Sequence, residues 1–172
     1  MKRLTVLRHA KSSWAEPNRD DFDRPLNDRG WKAARRMGRE LKHRKIDFDL
    51  CLASPAARVR ETLDGLSETY GDFQFPITFE EKIYLADTAT LLELVRDVAD
   101  DVERLLIVGH NPGLERLVAM LTRADGKGLR DEVEHKFPTA ALAVIELGAG
   151  PWSEVEPAGG KIVELIFPKE LD

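Results

Sequence analysis

Six short apolar runs punctuate this chain: RLTVL (3–7), FDLCLA (48–53), FQFPITF (73–79), RLLIVG (104–109), TAALAVIEL (139–147) and KIVELIF (161–167). Between the first five lie longer stretches in which apolar residues recur at helical spacing. Strands alternating with amphipathic helices predict an α/β domain with a mainly parallel central sheet covered on both faces, a three-layer α/β/α arrangement. The helices are expected over 27–45, with Asn27 or Asp28 as cap; from Ser54, with Pro55 in the first turn; over 88–100; and over 111–123, with Asn111 as cap and Pro112 behind it. Pro76 should keep the third strand short or at a sheet edge. ADGKGLRDEVEHK (124–136) reads as an exposed loop or short helix, and GAGPWSEVEPAGG (148–160) as a turn-rich connection between the last two strands.

No internal repeat or composition shift marks a boundary, so residues 1–172 are expected to form one domain. The net charge of −5 argues against general attraction to nucleic acid or to an anionic membrane surface. No apolar stretch approaches the roughly eighteen residues that span a bilayer, and the first run is broken at Arg8, too early for a signal peptide; a cytoplasmic protein is expected. Cys51 is the only cysteine, which excludes an intrachain disulfide, and the four histidines show no metal-ligand spacing. No metal or cofactor is expected.

Polar residues follow three of the apolar runs directly. Arg8-His9 ends the first, Ser54-Pro55-Ala56-Ala57-Arg58 follows the second, and His110-Asn111 follows the fourth. In open α/β sheets ligands bind where such strand-to-helix turns converge, and helix N-termini there offer backbone N–H groups to an anion. Guanidinium presents a planar fork suited to phosphoryl oxygens, whereas a neutral imidazole can attack phosphorus. A second histidine, if held cationic, could stabilise the transferring group. Taken singly, Arg8-His9 reads as a solvated strand end and Arg58 as a solvated helix face; their coincidence at three turns favours a phosphate site.

The same residues carry a family resemblance. LRHAKSS (7–13) resembles the RHG-type signature of the histidine phosphatase superfamily, with Ala10 where many members have glycine. LNDRGWKAA (26–34) is similar to its L-x-x-x-G-x-x-A stretch, SPAARVRET (54–62) to its S-x-x-x-R-x-x-x-T element and VGHNPGLERL (108–117) to its second-histidine element. The RHAKSSW and GHNPG wording most resembles phosphohistidine phosphatases of the SixA type. The resemblance implies a phosphoglycerate mutase-like fold, no metal, His9 as the phosphorylated nucleophile, and Arg8, Arg58 and His110 completing the phosphate pocket. Lys11, Ser12 and Asn111 are secondary substrate contacts by position, and Trp14 is the one tryptophan near enough to His9 to line a cleft.

Ester-cleaving members of this superfamily also use a carboxylic acid to protonate the leaving alkoxide. Glu81-Lys82-Ile83-Tyr84 resembles the stretch that carries this acid in phosphoglycerate mutases, so Glu81 is selected over Glu80 and Asp87. Phosphohistidine needs less acid assistance because its leaving group is an imidazole. The interval of about fifty residues between Arg58 and His110 is nearly filled by a strand and two helices, which leaves little for a lid. Three functions remain open on sequence: a phosphatase acting on phosphohistidine of a signalling protein, a phosphatase of small phosphate esters such as sugar phosphates using Glu81, and a non-catalytic binder of phosphorylated ligands.

Overall fold

A computed structural model of the chain describes residues 1–170; the last two residues of the expected domain lie outside it. Strands β1 (Lys2–Arg8), β2 (Leu50–Ala53), β3 (Ile77–Phe79), β4 (Arg104–Gly109), β5 (Leu142–Gly148) and β6 (Lys161–Ile166) form one sheet in the order β3-β2-β4-β1-β5-β6. The first four run parallel, β5 is antiparallel to both β1 and β6, and the mainly parallel sheet expected from the alternation is present. β3 is three residues long and sits at the edge, where Pro76 disrupts no interior ladder.

The alternation along the central strands shows why there are three layers. Leu4 and Val6 of β1 and Leu105 and Ile107 of β4 bury into one apolar cluster; Leu7, Leu106 and Val108 bury into another on the opposite face. Successive strand side chains point to opposite faces, so an unbroken apolar run requires helices on both. Helices α1 (Asp28–His43) and α2 (Ala57–Tyr70) cover one face through Met37, Leu41, Val59, Leu63 and Leu66. Helices α3 (Thr88–Arg96), α4 (Gly113–Leu121) and α5 (Leu129–His135) cover the other through Leu91, Val95, Leu114, Leu117 and Val133. Cys51 is buried in β2, and burial pushes its thiol up to about 12.

Asn27 caps α1 as expected, its side chain accepting from the Gly30 amide at 2.8 Å. Two other expected caps are corrected. α2 starts at Ala57 with Ala56 in the cap position, and α4 starts at Gly113 with Pro112 there. Both side chains still accept from an amide near the helix start, Ser54 Oγ from Ala56 and Asn111 Oδ1 from Glu115, and each also reaches a second partner: Ser54 Oγ lies beside His110, and the Asn111 amide donates to Phe137 O. The fifth strand likewise begins at Leu142, since Thr139–Ala141 form a turn that reaches back to β1.

Candidate active site

β2, β4 and β1 are consecutive neighbours in the sheet, and their registers end level: Ala53 pairs with Val108, and Arg8 with Gly109. Strands pack about 4.8 Å apart, so the three following turns meet at one end of the sheet. There Arg8, His9, Lys11, Ser12, Trp14, Asp21, Arg24, Arg58, Leu85, His110, Asn111 and Thr139 line a cavity of about 390 Å³. All the residues singled out from sequence are brought together except one.

That exception is Glu81. It opens a short 3-10 turn (Glu81–Ile83), is exposed, and does not line the cavity, so the sequence-based acid is corrected. The turn presents Ile83 to the core and Tyr84 toward the site, which leaves the Glu81 side chain facing outward.

The site loop is held by backbone and small residues whose positions match the motifs. The His9 amide donates to Gly109 O at 3.0 Å, and the Ala140 amide, in left-handed conformation (φ 60°), donates to the carbonyls of Arg8 and His9 at 3.1 and 2.9 Å. Thr62 Oγ1 accepts from the Ala10 amide at 2.9 Å and donates to Arg58 O at 2.6 Å, tying the histidine loop to α2. A Cβ at Gly30 would stand 2.1 Å from Lys11 O, so only glycine lets α1 approach the loop this closely. Ala10 is fully buried and its φ is not positive, so alanine is accommodated there without the freedom of glycine.

His9 is 7% exposed. Its Nδ1 lies 2.6 Å from Ala10 O; a carbonyl only accepts, so Nδ1 carries the proton and the lone pair is on Nε2. Burial pushes His9 down to about 4, with Arg58, Arg8 and Arg24 acting in the same direction against the Ala10 hydrogen bond. The His110 ring lies 5.3 Å from the His9 ring, and its Nε2 is 2.8 Å from Ser54 Oγ. Burial, then His9 and Arg58, push His110 down to about 3, in the direction of the neutral ring.

Arg58 donates to the Asp21 carbonyl at 2.7 Å and to Asp21 Oδ2 at 3.0 Å. Asp21 also accepts from the Tyr84 hydroxyl at 2.5 Å and from Arg24 Nε at 3.1 Å. Partial burial would raise its carboxyl, but these donors, Tyr84 first, hold it down to about 2. Arg24 further donates to Ser12 Oγ at 2.6 Å and lies 3.6 Å from the centroid of the Trp14 ring, a cation–π contact. Arg8 donates to Phe137 O, as does Asn111, whose Oδ1 accepts from the Glu115 amide. Three guanidiniums against one carboxylate leave the pocket cationic. Arg8 Nε, Arg58 Nε and His110 Nδ1 are buried without a hydrogen-bond partner among the described residues.

Asp21, Arg24, Tyr84, Leu85 and Thr139 escaped the sequence reading. Asp21 and Arg24 share the charge-dense loop AEPNRDDFDRPLND, which a bridge between Ser12 and Leu26 folds back over the pocket. Their i, i+3 spacing ahead of Pro25 was the available signal. His43 and His135 are exposed at helix ends, and among the described residues no three His, Cys, Asp or Glu side chains group as a metal site. Also among the described residues, no helix is long and apolar enough to cross a membrane.

Residues 4–84 match the family model of the histidine phosphatase superfamily, branch 1. A Mycobacterium tuberculosis protein of uncharacterized function is 33% identical over 165 residues, covering 95% of this chain and all of that one. A crystal structure from Agrobacterium tumefaciens, assigned as a phosphohistidine phosphatase SixA, superposes with a TM-score of 0.80 at 31% identity, over 97% of this chain and 98% of the other. The chain belongs to the histidine phosphatase superfamily. Its architecture is of the SixA type: the protein histidine phosphatase SixA solved with tungstate shares the fold at a TM-score of 0.80 and 20% identity, over 99% of each chain. Membership of this superfamily gives phosphatase chemistry through a histidine as the activity class.

Proposed function

We propose that this chain hydrolyses phosphohistidine on a protein partner through a covalent phospho-His9 intermediate. The observation that carries the choice of substrate is the state of the acids. Asp21 is the only carboxylate among the described residues lining the cavity, and its hydrogen bonds to Tyr84, Arg58 and Arg24 hold it ionised. A carboxyl near 2 is a poor proton donor at neutral pH, and Glu81 lies outside the cavity. A phosphate ester needs that proton on its leaving alkoxide. Phosphohistidine does not, since its imidazole departs as the neutral ring once its other nitrogen is protonated.

In the first step His9 Nε2 attacks phosphorus, the donor P–N bond breaks, and its electron pair leaves on the substrate imidazole. The depressed basicity of His9 keeps Nε2 unprotonated, and the Ala10 carbonyl fixes the tautomer. Arg8 and Arg58 neutralise the phosphoryl oxygens, with Asp21 orienting the Arg58 fork. His110 lines the same cavity with its ring 5.3 Å from that of His9 and serves the same group. In the second step water attacks phospho-His9, releasing inorganic phosphate and restoring the imidazole. Lys11, Ser12 and Asn111 act from the rim: Ser12 through Arg24, Asn111 by fixing the turn after His110.

A turnover panel of phosphohistidine peptides against sugar phosphates tests this reading. We expect kcat/KM on phosphohistidine to exceed that on the esters by about 10²-fold or more, with Glu81→Gln silent on both. Preferred turnover of an ester, lost about 10²-fold in Glu81→Gln or Asp21→Asn, would overturn it.

A further inference from the structure

A second concavity, of about 540 Å³, adjoins the phosphoryl pocket and shares Lys11 and Thr139 with it. Its floor is one stripe of α1: Arg29, Lys32, Ala33 and Arg36 recur at i, i+3, i+4 and i+7. Lys136 stands on the opposite wall, in the connection between α5 and β5. Lys11, Arg29, Lys32, Arg36 and Lys136 form no ion pair with a carboxylate among the described residues, and none of the described residues that line the groove, which also include Pro168 and Lys169, carries a carboxylate. By contrast, Arg35, Arg44, Arg104 and Arg130 each hold a carboxylate oxygen within 2.8 Å. In a chain of net charge −5, a concentration of cations beside the pocket is a local exception.

We infer that this groove docks an acidic segment of the phosphoprotein substrate, with carboxylates set along α1 while the phosphoryl group enters the neighbouring pocket. The inference rests on the phosphoprotein reading above and adds what selects the partner. A compact second phosphate on a small molecule calls for buried, converging donors, as Arg24 and Arg58 provide in the pocket. The groove cations are long and mostly exposed, and Arg29 to Arg36 alone spread over about 10 Å of helix. That spacing suits several dispersed carboxylates. Lys11 and Thr139 border both concavities, so the two are adjacent and one extended ligand can span them. Such a surface acts on encounter and selection among partners, not on the bond-breaking step.

The test uses the full chain, wild type and Lys32→Glu/Arg36→Glu, on two phosphohistidine peptides of equal length, one flanked by aspartate and glutamate and one by asparagine and glutamine, plus phosphoramidate as small donor. We expect wild type to favour the acidic peptide about tenfold in kcat/KM, mainly through KM, with the preference erased by about 0.5 M salt and by the double variant. Phosphoramidate turnover should be unchanged in the variant. Titration of the unphosphorylated acidic peptide should show binding to wild type and at least tenfold weaker binding to the variant. Equal kcat/KM on both peptides with no variant effect overturns the groove alone and leaves the phosphohistidine reading standing. Turnover of phosphoramidate but of neither peptide overturns both readings. A variant that loses phosphoramidate turnover in parallel, or a groove that binds a bisphosphorylated sugar tightly and the acidic peptide not at all, also overturns the docking role.

Discussion

The pocket and the groove are adjacent and carry the same sign of charge, yet they are built in opposite ways. In the pocket Arg58 is 2% exposed and Arg24 8%, and each guanidinium is fixed by named acceptors. In the groove the cations are mostly exposed and lack carboxylate partners among the described residues. Folding has already ordered the first set, so it can match the geometry of a transferring phosphoryl group. The second set keeps its rotamer freedom and can match only the density of charge on a partner. Chemistry and partner choice are thereby separable by mutation.

The largest expected effect is at the pocket. His9→Ala should lower turnover by about 10⁴-fold or more, since it removes the nucleophile outright, as steady-state assay on a phosphohistidine peptide would measure. Arg58→Ala follows, with an expected fall of about 10²- to 10³-fold expressed in kcat as well as KM. An effect confined to KM would place Arg58 in uniform binding and blur the contrast with the groove.

The buried histidines also give the pocket a pH signature that the groove lacks. His9 and His110 stand near 4 and 3, below the ordinary imidazole value. As pH falls below about 6.5 the unfolded chain takes up protons at both positions and the native chain does not, so unfolding free energy falls with pH. His9 alone accounts for about 3 kcal/mol of loss between neutral pH and about pH 4, and a urea denaturation series in which His9→Gln flattens this dependence would bear that out. Identical pH slopes in the two proteins would contradict it.

Asp21→Asn should cost about tenfold in turnover by loosening the Arg58 fork, while phosphohistidine and ester donors suffer alike. The smallest effect belongs to the groove: Lys32→Ala with Arg36→Ala should leave thermal stability within about 0.5 kcal/mol of wild type, because the two side chains are not buried and form no ion pair with the described residues.

Much of the scaffold was legible because it rests on local patterns. An apolar run buried on both faces announces a central strand, and Pro76 marked β3 as the short edge strand it is. Arg8, His9, Arg58 and His110 were legible because each lies at the end of a strand or in the first turn of the helix after it, and neighbouring parallel strands must bring such turns together. What could not be read was which side chain completes which bond. Ser54 looked like a helix cap, yet its hydroxyl reaches His110, 56 residues along the chain. Asp21 and Tyr84 lie 63 residues apart and meet only because two loops fold over the same strand ends. The Glu81 choice failed for the same reason: it depended on which way a three-residue turn faces, and Ile83 takes the inward position.

The most direct measurement is phosphoryl trapping. Incubated with phosphoramidate and quenched in alkali, the protein should carry one phosphoryl group, stable to base, labile to acid, and located on His9 by fragmentation mass spectrometry. It should be absent from His9→Ala and should discharge to inorganic phosphate in water. An adduct on another residue, an adduct that survives in His9→Ala, or turnover with no adduct at any time would contradict the account.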